Sequence, residues 1–308
     1  MPKPRQAPLV PAADALAPAP PPTPTGPDAS DVPADVAWSN PRSPRRIARR
    51  LVTNPSSLLG LLVLIALTLV AVFAPVVAPC PSEPRQRAYC GRDAYLVPKS
   101  GFAPEPQPPS AEHRFGTTPG QYDIFYGVVW GTRTAFKVGI VITALSLLIG
   151  LSVGSVSAYF GGLVDEGMMR VVEVFQAFPF FLAAITLATV LRANPQFQGT
   201  LPAMIALTAF GWMGYARLVR ADILSIKQRD YVWAARSLGA SDARIILRHI
   251  LPNAIFPVLV LASLEIGTIV VTFAALSFFG LGVPDGYADW GQMISSARNR
   301  VSTLAQDW

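Results

Sequence analysis

Long apolar runs constrain the fold of this chain more than any other feature of its sequence. The runs extend from about Ser57 to Ala78, Thr134 to Tyr159, Val171 to Leu191, Leu201 to Val219 and Ala254 to Phe279. A membrane-spanning helix needs about 20 mostly apolar residues, and each run is close to that length or longer. The sequence therefore predicts an all-α membrane protein, a polytopic helix bundle with about five transmembrane helices.

The composition agrees with a membrane protein. Only 14% of the residues are charged, and the mean hydropathy is +0.39, which is unusual for a soluble domain. The formal net charge of +6 comes from Lys and Arg residues in short clusters beside the apolar runs. Such clusters set the orientation of a membrane protein, so the charge does not indicate nucleic-acid binding.

The N-terminal region divides the chain into two parts. Residues 1–44 are rich in Pro, Ala, Asp and Thr and have no apolar period, which predicts a disordered tail. Residues 45–308 form the predicted membrane domain. The first apolar run could instead be a signal peptide, but a tail of about fifty residues precedes it and its apolar core is too long. We therefore expect a retained helix.

Basic residues near the run ends predict the orientation. Five arginines lie between Arg42 and Arg50. The segment from Arg217 to Pro252 carries seven more basic residues: Arg217, Arg220, Lys227, Arg229, Arg236, Arg244 and Arg248. Positive loops face the cytoplasm, and four crossings between these two segments allow both to do so. The chain is therefore expected in the plasma (inner) membrane with a cytoplasmic N-terminus and an extracytoplasmic loop at residues 79–133.

That loop contains Cys80 and Cys90, the two cysteines of the chain. Disulfides form in extracytoplasmic compartments, so the predicted orientation permits a bridge between them. Two free thiols are equally compatible with the sequence, because spacing alone does not fix the geometry that a bridge requires.

The cytoplasmic stretch from Tyr231 to Pro252 is predicted to form two short helices with a tight break. Gly239 permits the left-handed turn that ends a helix, Ser241 can cap the next helix, and Pro252 is expected to stop that helix before the last apolar run. Such an element could couple mechanically to a partner. An amphipathic helix lying on the anionic membrane surface is the alternative.

The same stretch resembles a known family signature. Ala234-Ala235, three residues, Gly239, nine residues, His249, one residue and Leu251-Pro252 are similar to the motif of permease subunits in ATP-binding-cassette importers. The resemblance implies that this loop docks into a cleft of a cytoplasmic ATPase. The residues it assigns to ATPase coupling are Tyr231, Ala234, Ala235, Arg236, Gly239, Ala240, His249, Leu251 and Pro252.

Further blocks resemble the dipeptide, oligopeptide and nickel branch of that family, specifically its second permease component. They include Phe115-Gly116-Thr117, Phe178-Pro179, Leu276 to Gly282 and Trp290-Gly291. The resemblance implies import of di- or oligopeptides, or of nickel or another small solute. It also implies a second homologous permease, two ATPase subunits and an extracytoplasmic solute-binding protein as partners. The family has a sixth span, whereas this sequence ends at Trp308.

The sequence offers no catalytic machinery. A phosphate-binding loop of the type Gly-x-x-x-x-Gly-Lys-Ser/Thr does not occur in it, so ATP and magnesium are expected on the partner ATPase, and this chain is expected to be no enzyme and to hold no cofactor. His113 and His249 are the two histidines of the chain, and no cluster of Cys or Asp residues joins them, which argues against a metal site.

Glu265 lies inside the last apolar run, where an ionisable group usually faces a cavity or a partner. A place in the solute pathway and a structural hydrogen bond are both compatible with it. An ion-driven secondary transporter is the alternative function, but it should show internal repeats and paired charges within the membrane.

Overall fold

A computed structural model describes residues 52–101 and 105–304, with side chains as far as Arg298. The predicted disordered tail, residues 1–44, lies outside this range. The helices are α1 (Pro55–Val72), α2 (Ala74–Val77), α3 (Pro84–Cys90), α4 (Ile124–Phe160), α5 (Gly162–Gln176), α6 (Phe180–Arg192), α7 (Leu201–Gly211), α8 (Met213–Ile226), α9 (Asp230–Ser237), α10 (Asp242–Arg244), a π-helical turn (Ile245–Ile250), α11 (Leu251–Phe278) and α12 (Trp290–Leu304).

The chain divides into two compact units between Leu62 and Val63. In the described part of the first unit, α1 begins after Asn54. The Oδ1 atom of Asn54 accepts a hydrogen bond from the Ser56 N–H at 3.2 Å, as expected of a residue that caps a helix N-terminus. The second unit contains the rest of α1 and the other described helices.

Three helical stretches of the described chain are long and apolar enough to cross a membrane: Pro55–Val72, Ile124–Phe160 and Asp242–Phe278. A fourth crossing results if α5 and α6, which are bent by 84° at the break between them, count as one span. The predicted all-α membrane fold is confirmed. However, two of the five predicted spans are each divided near their middle into two helices, and the first predicted span ends in the separate short helix α2.

Each division has a local physical reason. The predicted span from about Val171 to Leu191 is broken at Pro179, which has no N–H to donate and disfavours the helical conformation of the residue before it. The predicted span from about Leu201 to Val219 is divided at Trp212 into α7 and α8. Glycines lie close to Trp212 on both sides, and glycine weakens a helix interior.

Helix α4 is the centre of the bundle and packs against α7, α8 and α11. Its contact with α8 depends on Gly150 and Gly154. A Cβ atom added at Gly150 would lie 2.6 Å from the Trp212 carbonyl oxygen, and one added at Gly154 would lie 2.9 Å from the Cβ of Val219. Small residues four positions apart allow membrane helices to approach closely, so this interface leaves no room for larger side chains.

The predicted loop, residues 79–133, ends in the first turns of α4, which begins at Ile124, and the described residues before Ile124 fold against the beginning of that helix. The Tyr126 hydroxyl donates to the Ala94 carbonyl at 2.7 Å, and the Trp130 indole N–H donates to the Ala78 carbonyl at 3.0 Å. Both aromatic rings lie on α4. They therefore attach the chain at Ala78 and at Ala94 to the membrane helix.

The buried His113 imidazole makes a second attachment between this loop and α4. Its Nε2 is 2.8 Å from Ser100 Oγ, and its Nδ1 is 2.7 Å from Asp123 Oδ2. Asp123 also caps α4, since its Oδ1 accepts a hydrogen bond from the Tyr126 N–H at 2.7 Å. Both ring nitrogens are engaged, which is the satisfaction that a buried polar group requires.

Cys80 and Cys90 are joined by a disulfide, with their Cα atoms 5.8 Å apart. Of the two alternatives that the sequence leaves open, the structure has the bridge. The disulfide closes a short loop that contains α3, whose last residue is Cys90.

We expect protein alkylated and digested without reduction to yield one linked peptide pair carrying Cys80 and Cys90. A native disulfide contributes about 2–4 kcal/mol, so a variant with serine at both positions should have a less stable loop but unchanged membrane insertion. Protein reduced before alkylation is the control for the mass-spectrometric measurement. Recovery of both cysteines as freely alkylated thiols from native membranes would contradict the bridge.

Candidate functional site

The segment that we call the coupling element, residues 230–252, contains the turn predicted at Gly239. Gly239 has φ +80°. The Gly239 N–H donates to the Arg236 carbonyl at 3.0 Å, and the Ala240 N–H donates to the Ala235 carbonyl at 3.1 Å. These two bonds form a Schellman motif, which ends a helix with a left-handed residue. Helix α9 therefore stops in the way that the sequence predicts.

Ser241 lies at the N-cap position of α10, as predicted, with extended backbone angles. Its side chain makes no capping hydrogen bond. Its carbonyl accepts a bond from the Ile245 N–H at 3.0 Å. The position of the cap is therefore correct, whereas the side-chain bond that usually accompanies it is absent from this N-terminus.

The predicted helix stop at Pro252 is wrong. Residues 242–278 form one helical stretch of 37 residues, and the π-helical turn directly precedes the proline. A proline removes a hydrogen bond to the carbonyl four residues earlier and clashes with it. Here the Leu251 N–H bonds to the Ile246 carbonyl, five residues back. This wider turn allows the helix to continue past Pro252.

Buried side chains hold the coupling element against the bundle. Val232, Ile245 and Ile250 pack in one hydrophobic cluster with Tyr215 and Val219 of α8. Burying an aliphatic side chain contributes about 1.5–3 kcal/mol. The coupling element is thus part of the folded core rather than a helix lying freely beside it.

Tyr159, at the end of α4, connects this element to the central helix. Its hydroxyl donates to Asp242 Oδ1 and accepts a bond from Arg236 Nη2 at 3.1 Å. Its carbonyl accepts a bond from Lys227 Nζ at 2.6 Å. The Arg236 and Lys227 cations also lie 5.7 and 5.6 Å from the ring centroid, within the range of cation–π attraction. The sequence analysis did not single out Tyr159.

An ion pair braces the same end of the bundle. Arg220 of α8 donates two hydrogen bonds to the Asp165 carboxylate of α5, from Nε and Nη2, both at 2.6 Å. The Ser157 hydroxyl of α4 donates to the same carboxylate. This bidentate geometry is the strong form of an arginine–carboxylate contact, so α4, α5 and α8 are tied together beside the coupling element.

The outer face of the coupling element is apolar and uncovered. Leu238 is 88% exposed, Trp233 is 59% exposed and Tyr231 is 43% exposed. Of the residues predicted to couple, five are exposed and four are half-buried. The exposed ones are Tyr231, Ala234, Arg236, Gly239 and Pro252; the half-buried ones are Ala235, Ala240, His249 and Leu251. Exposed apolar patches mark interaction surfaces.

A cavity of about 570 Å³ lies where the two divided spans break, and we call it the break cavity. Phe178 and Pro179 line it from the break between α5 and α6, and Gly211 and Met213 line it from the break between α7 and α8. Glu265 of α11 is half-buried in its wall. Glu265 therefore faces a cavity, as an ionisable group within a membrane span should; a pathway role and a structural role both stay open for it.

A second cavity, of about 380 Å³, lies near the start of α4 and the loop before α12. Tyr122 and Asp285 are among its lining residues. Burial raises the pKa of the Tyr122 phenol, and the nearby Tyr89 and Asp285 raise it further. Burial also raises the pKa of the Asp289 carboxyl, which caps α12 by accepting a bond from the Gln292 N–H at 3.0 Å.

No group of three or more His, Cys, Asp and Glu side chains in the described chain could hold a metal ion. His113 is engaged by Ser100 and Asp123, while His249 lies half-buried in the π-helical turn. The structure does not bring the two histidines into one site.

Two family models match this chain. The model described as "Binding-protein-dependent transport system inner membrane component" matches residues 146–305. The model described as "N-terminal TM domain of oligopeptide transport permease C" matches residues 43–94. The first match alone spans more than half of the chain.

Curated relatives match over most of their length. The oligopeptide transport system permease protein OppC of Bacillus subtilis is 35% identical over 246 residues, which cover 80% of this chain and 74% of the relative. The dipeptide transport system permease protein DppC of Alkalihalophilus pseudofirmus is 32% identical over 259 residues, covering 84% and 79%. An inward-facing structure of the MetNI methionine ABC transporter overlaps 58% of this chain and 82% of its own, with 21% identity and a TM-score of 0.49.

Proposed function

The chain belongs to the family of binding-protein-dependent transport system inner membrane components, and we propose that it is one permease subunit of an ATP-driven importer of di- or oligopeptides. Relatives named as oligopeptide and dipeptide permeases support the peptide substrate. Members of this family are components of transport systems, so the role of the chain is to form part of a translocation pathway rather than to catalyse a reaction.

The coupling element carries this proposal. It is anchored to the bundle by buried aliphatic side chains and by Tyr159, and it presents Trp233 and Leu238 outward. A rigid element with an apolar outer face suits docking to another protein, because few of its groups must be ordered on binding. We infer that the partner is a cytoplasmic ATPase, which binds ATP and magnesium and hydrolyses ATP.

The remaining partners follow from the same function. An importer of this type needs a second homologous permease to complete the pathway, a second ATPase, and an extracytoplasmic protein that delivers the solute. In the proposed orientation the chain lies in the inner membrane, and its N-terminus and its coupling element both face the cytoplasm. The Cys80–Cys90 disulfide supports an extracytoplasmic position for its loop, since disulfides persist in oxidising compartments.

We expect Leu238→Asp to weaken binding of the ATPase about thirtyfold, because a charge would be buried at the centre of an apolar contact worth about 2 kcal/mol. The measurement is the affinity of the purified ATPase for the complex in lipid vesicles. Leu163→Asp is the matched control, since Leu163 is 87% exposed on α5, outside the coupling element.

Equal ATPase affinities for the two variants would contradict docking at the coupling element. If the element instead lies on the membrane surface, substitution of Arg244 and Arg248 should weaken its attraction to anionic lipid, and no ATPase should bind. Peptide uptake driven by ATP in the same vesicles tests the substrate. Uptake of nickel without uptake of peptides would assign the chain to the alternative substrate.

A further inference from the structure

The break cavity is the meeting point of two discontinuous helical spans. Helices α5 and α6 are bent by 84° at the break between them, and α7 and α8 are divided at Trp212. Residues at both breaks line the wall of the cavity. In secondary transporters, spans interrupted in this way commonly line the solute site, and an irregular backbone within a membrane is tolerated only where it is buried in protein or lines a cavity. The location is therefore one where a solute is expected.

Two side chains of opposite charge line this cavity. Glu265 comes from α11 and Arg217 from α8. None of the ion pairs among the described residues includes either of them, so they do not neutralise each other. The buried Tyr215 hydroxyl lies near the Glu265 carboxylate. One carboxylate and one guanidinium thus line the cavity outside any ion pair of the described residues.

We propose that the break cavity is a transit site for short zwitterionic peptides, in which Glu265 binds the ammonium group of the peptide and Arg217 binds its carboxylate. This inference rests on the proposed function, and it assigns to this subunit the recognition of the two peptide ends. The ammonium and the carboxylate are the groups that every free peptide has in common.

The rest of the wall fits such a ligand. Phe178, Phe180 and Phe210 line the cavity and can contact peptide side chains without specifying them. The volume of about 570 Å³ lies within the range of about 300–1,000 Å³ of small-molecule sites. A carboxylate at membrane depth is costly when it is unpaired, so its retention is explained if a cation passes it during transport.

The experiment measures ATP-driven uptake by the complete transporter in vesicles, with the solute-binding protein present. The probes are a dipeptide, its N-acetylated form and its C-terminally amidated form. For each peptide, uptake by the Glu265→Gln complex is divided by uptake by the wild-type complex. This ratio cancels the selectivity of the binding protein, which is the same in both measurements.

We expect Glu265→Gln to lower uptake of the free dipeptide about tenfold, the effect of losing one hydrogen bond to a charged group, and to leave uptake of the N-acetylated peptide nearly unchanged. Arg217→Gln should likewise lower uptake of the free dipeptide, but it should leave uptake of the C-terminally amidated peptide nearly unchanged. Because Arg217 is exposed, that variant should assemble even if the Glu265 variant does not. ATPase binding should be unchanged in both.

Equal ratios for the free and blocked peptides, in every variant that assembles, would overturn the transit site. They would leave the proposed function standing, since the wild-type complex would still import peptides. Failure of the wild-type complex to take up any peptide, despite ATP hydrolysis and bound ATPase, would instead contradict the proposed function itself.

Discussion

Replacing Gly239 with valine is expected to lower peptide uptake per ATP hydrolysed about tenfold, while ATPase activity persists. Gly239 has φ +80°, and the left-handed conformation costs a residue with a Cβ atom about 1–2 kcal/mol, or roughly one factor of ten in the population of the turn. An added Cβ would meet no atom within 4 Å. The penalty therefore falls on the backbone of the turn alone.

A second substitution at Gly239 separates the effect of the backbone conformation from the effect of side-chain size. Asparagine visits the left-handed region more readily than other residues with a Cβ atom, so Gly239→Asn should retain most of the uptake although its side chain is as large as that of valine. The measurement is the ratio of uptake to hydrolysis in reconstituted vesicles. If the valine variant keeps the wild-type ratio, the turn does not transmit the motion that couples the two activities.

Replacing Gly154 with leucine is expected to abolish stable folding of the membrane domain. The added side chain would enter the contact between α4 and α8, where a Cβ alone would lie 2.9 Å from Val219 Cβ and would also collide with the Ala216 carbonyl oxygen. Overpacking costs about 1–3 kcal/mol, and occasionally more. Because the obstacle includes backbone of the neighbouring helix, the upper end of that range applies.

The control for this variant is Gly267→Leu, because an added Cβ at Gly267 of α11 meets nothing within 4 Å. Thermal unfolding and size-exclusion chromatography of the detergent-solubilised protein should show a loss of monodisperse protein for the Gly154 variant only. Equal behaviour of the two variants would show that the close approach of α4 and α8 does not limit stability.

Local features of the coupling element could be predicted from the sequence, because they depend on few neighbouring residues. Gly239 lies two residues after Ser237, the last residue of α9, and allows the left-handed turn there, and Ser241 follows at the start of the next helix. The contact that anchors the element is different. The Tyr159 hydroxyl bonds to Asp242, 83 residues later in the chain, and such a pairing exists only once the helices are packed.

The helix boundaries show the same distinction. Proline was expected to end a helix at Pro252, yet Ile250 and Ala254 on either side of it are buried in the same cluster. Their burial favours a continuous helix, and the π-helical turn accommodates the proline. The break at Pro179 does follow the local rule, but hydropathy alone hides it, because both halves are apolar. The break cavity arises from two such breaks and could not be located before the helices were placed.

The continuity of residues 242–278 has a mechanical consequence. A helix rises about 1.5 Å per residue, so this stretch of 37 residues is a rod about 55 Å long. It crosses α4 closely at Val270, which would lie 2.8 Å from a Cβ added at Gly139. If the rod rocks by about 5° about this crossing, its arms of about 42 Å and about 12 Å displace their ends by about 4 Å and about 1 Å in opposite directions. A push on the end at Asp242 thus becomes an opposite displacement at the end at Phe278 without any bending of the backbone.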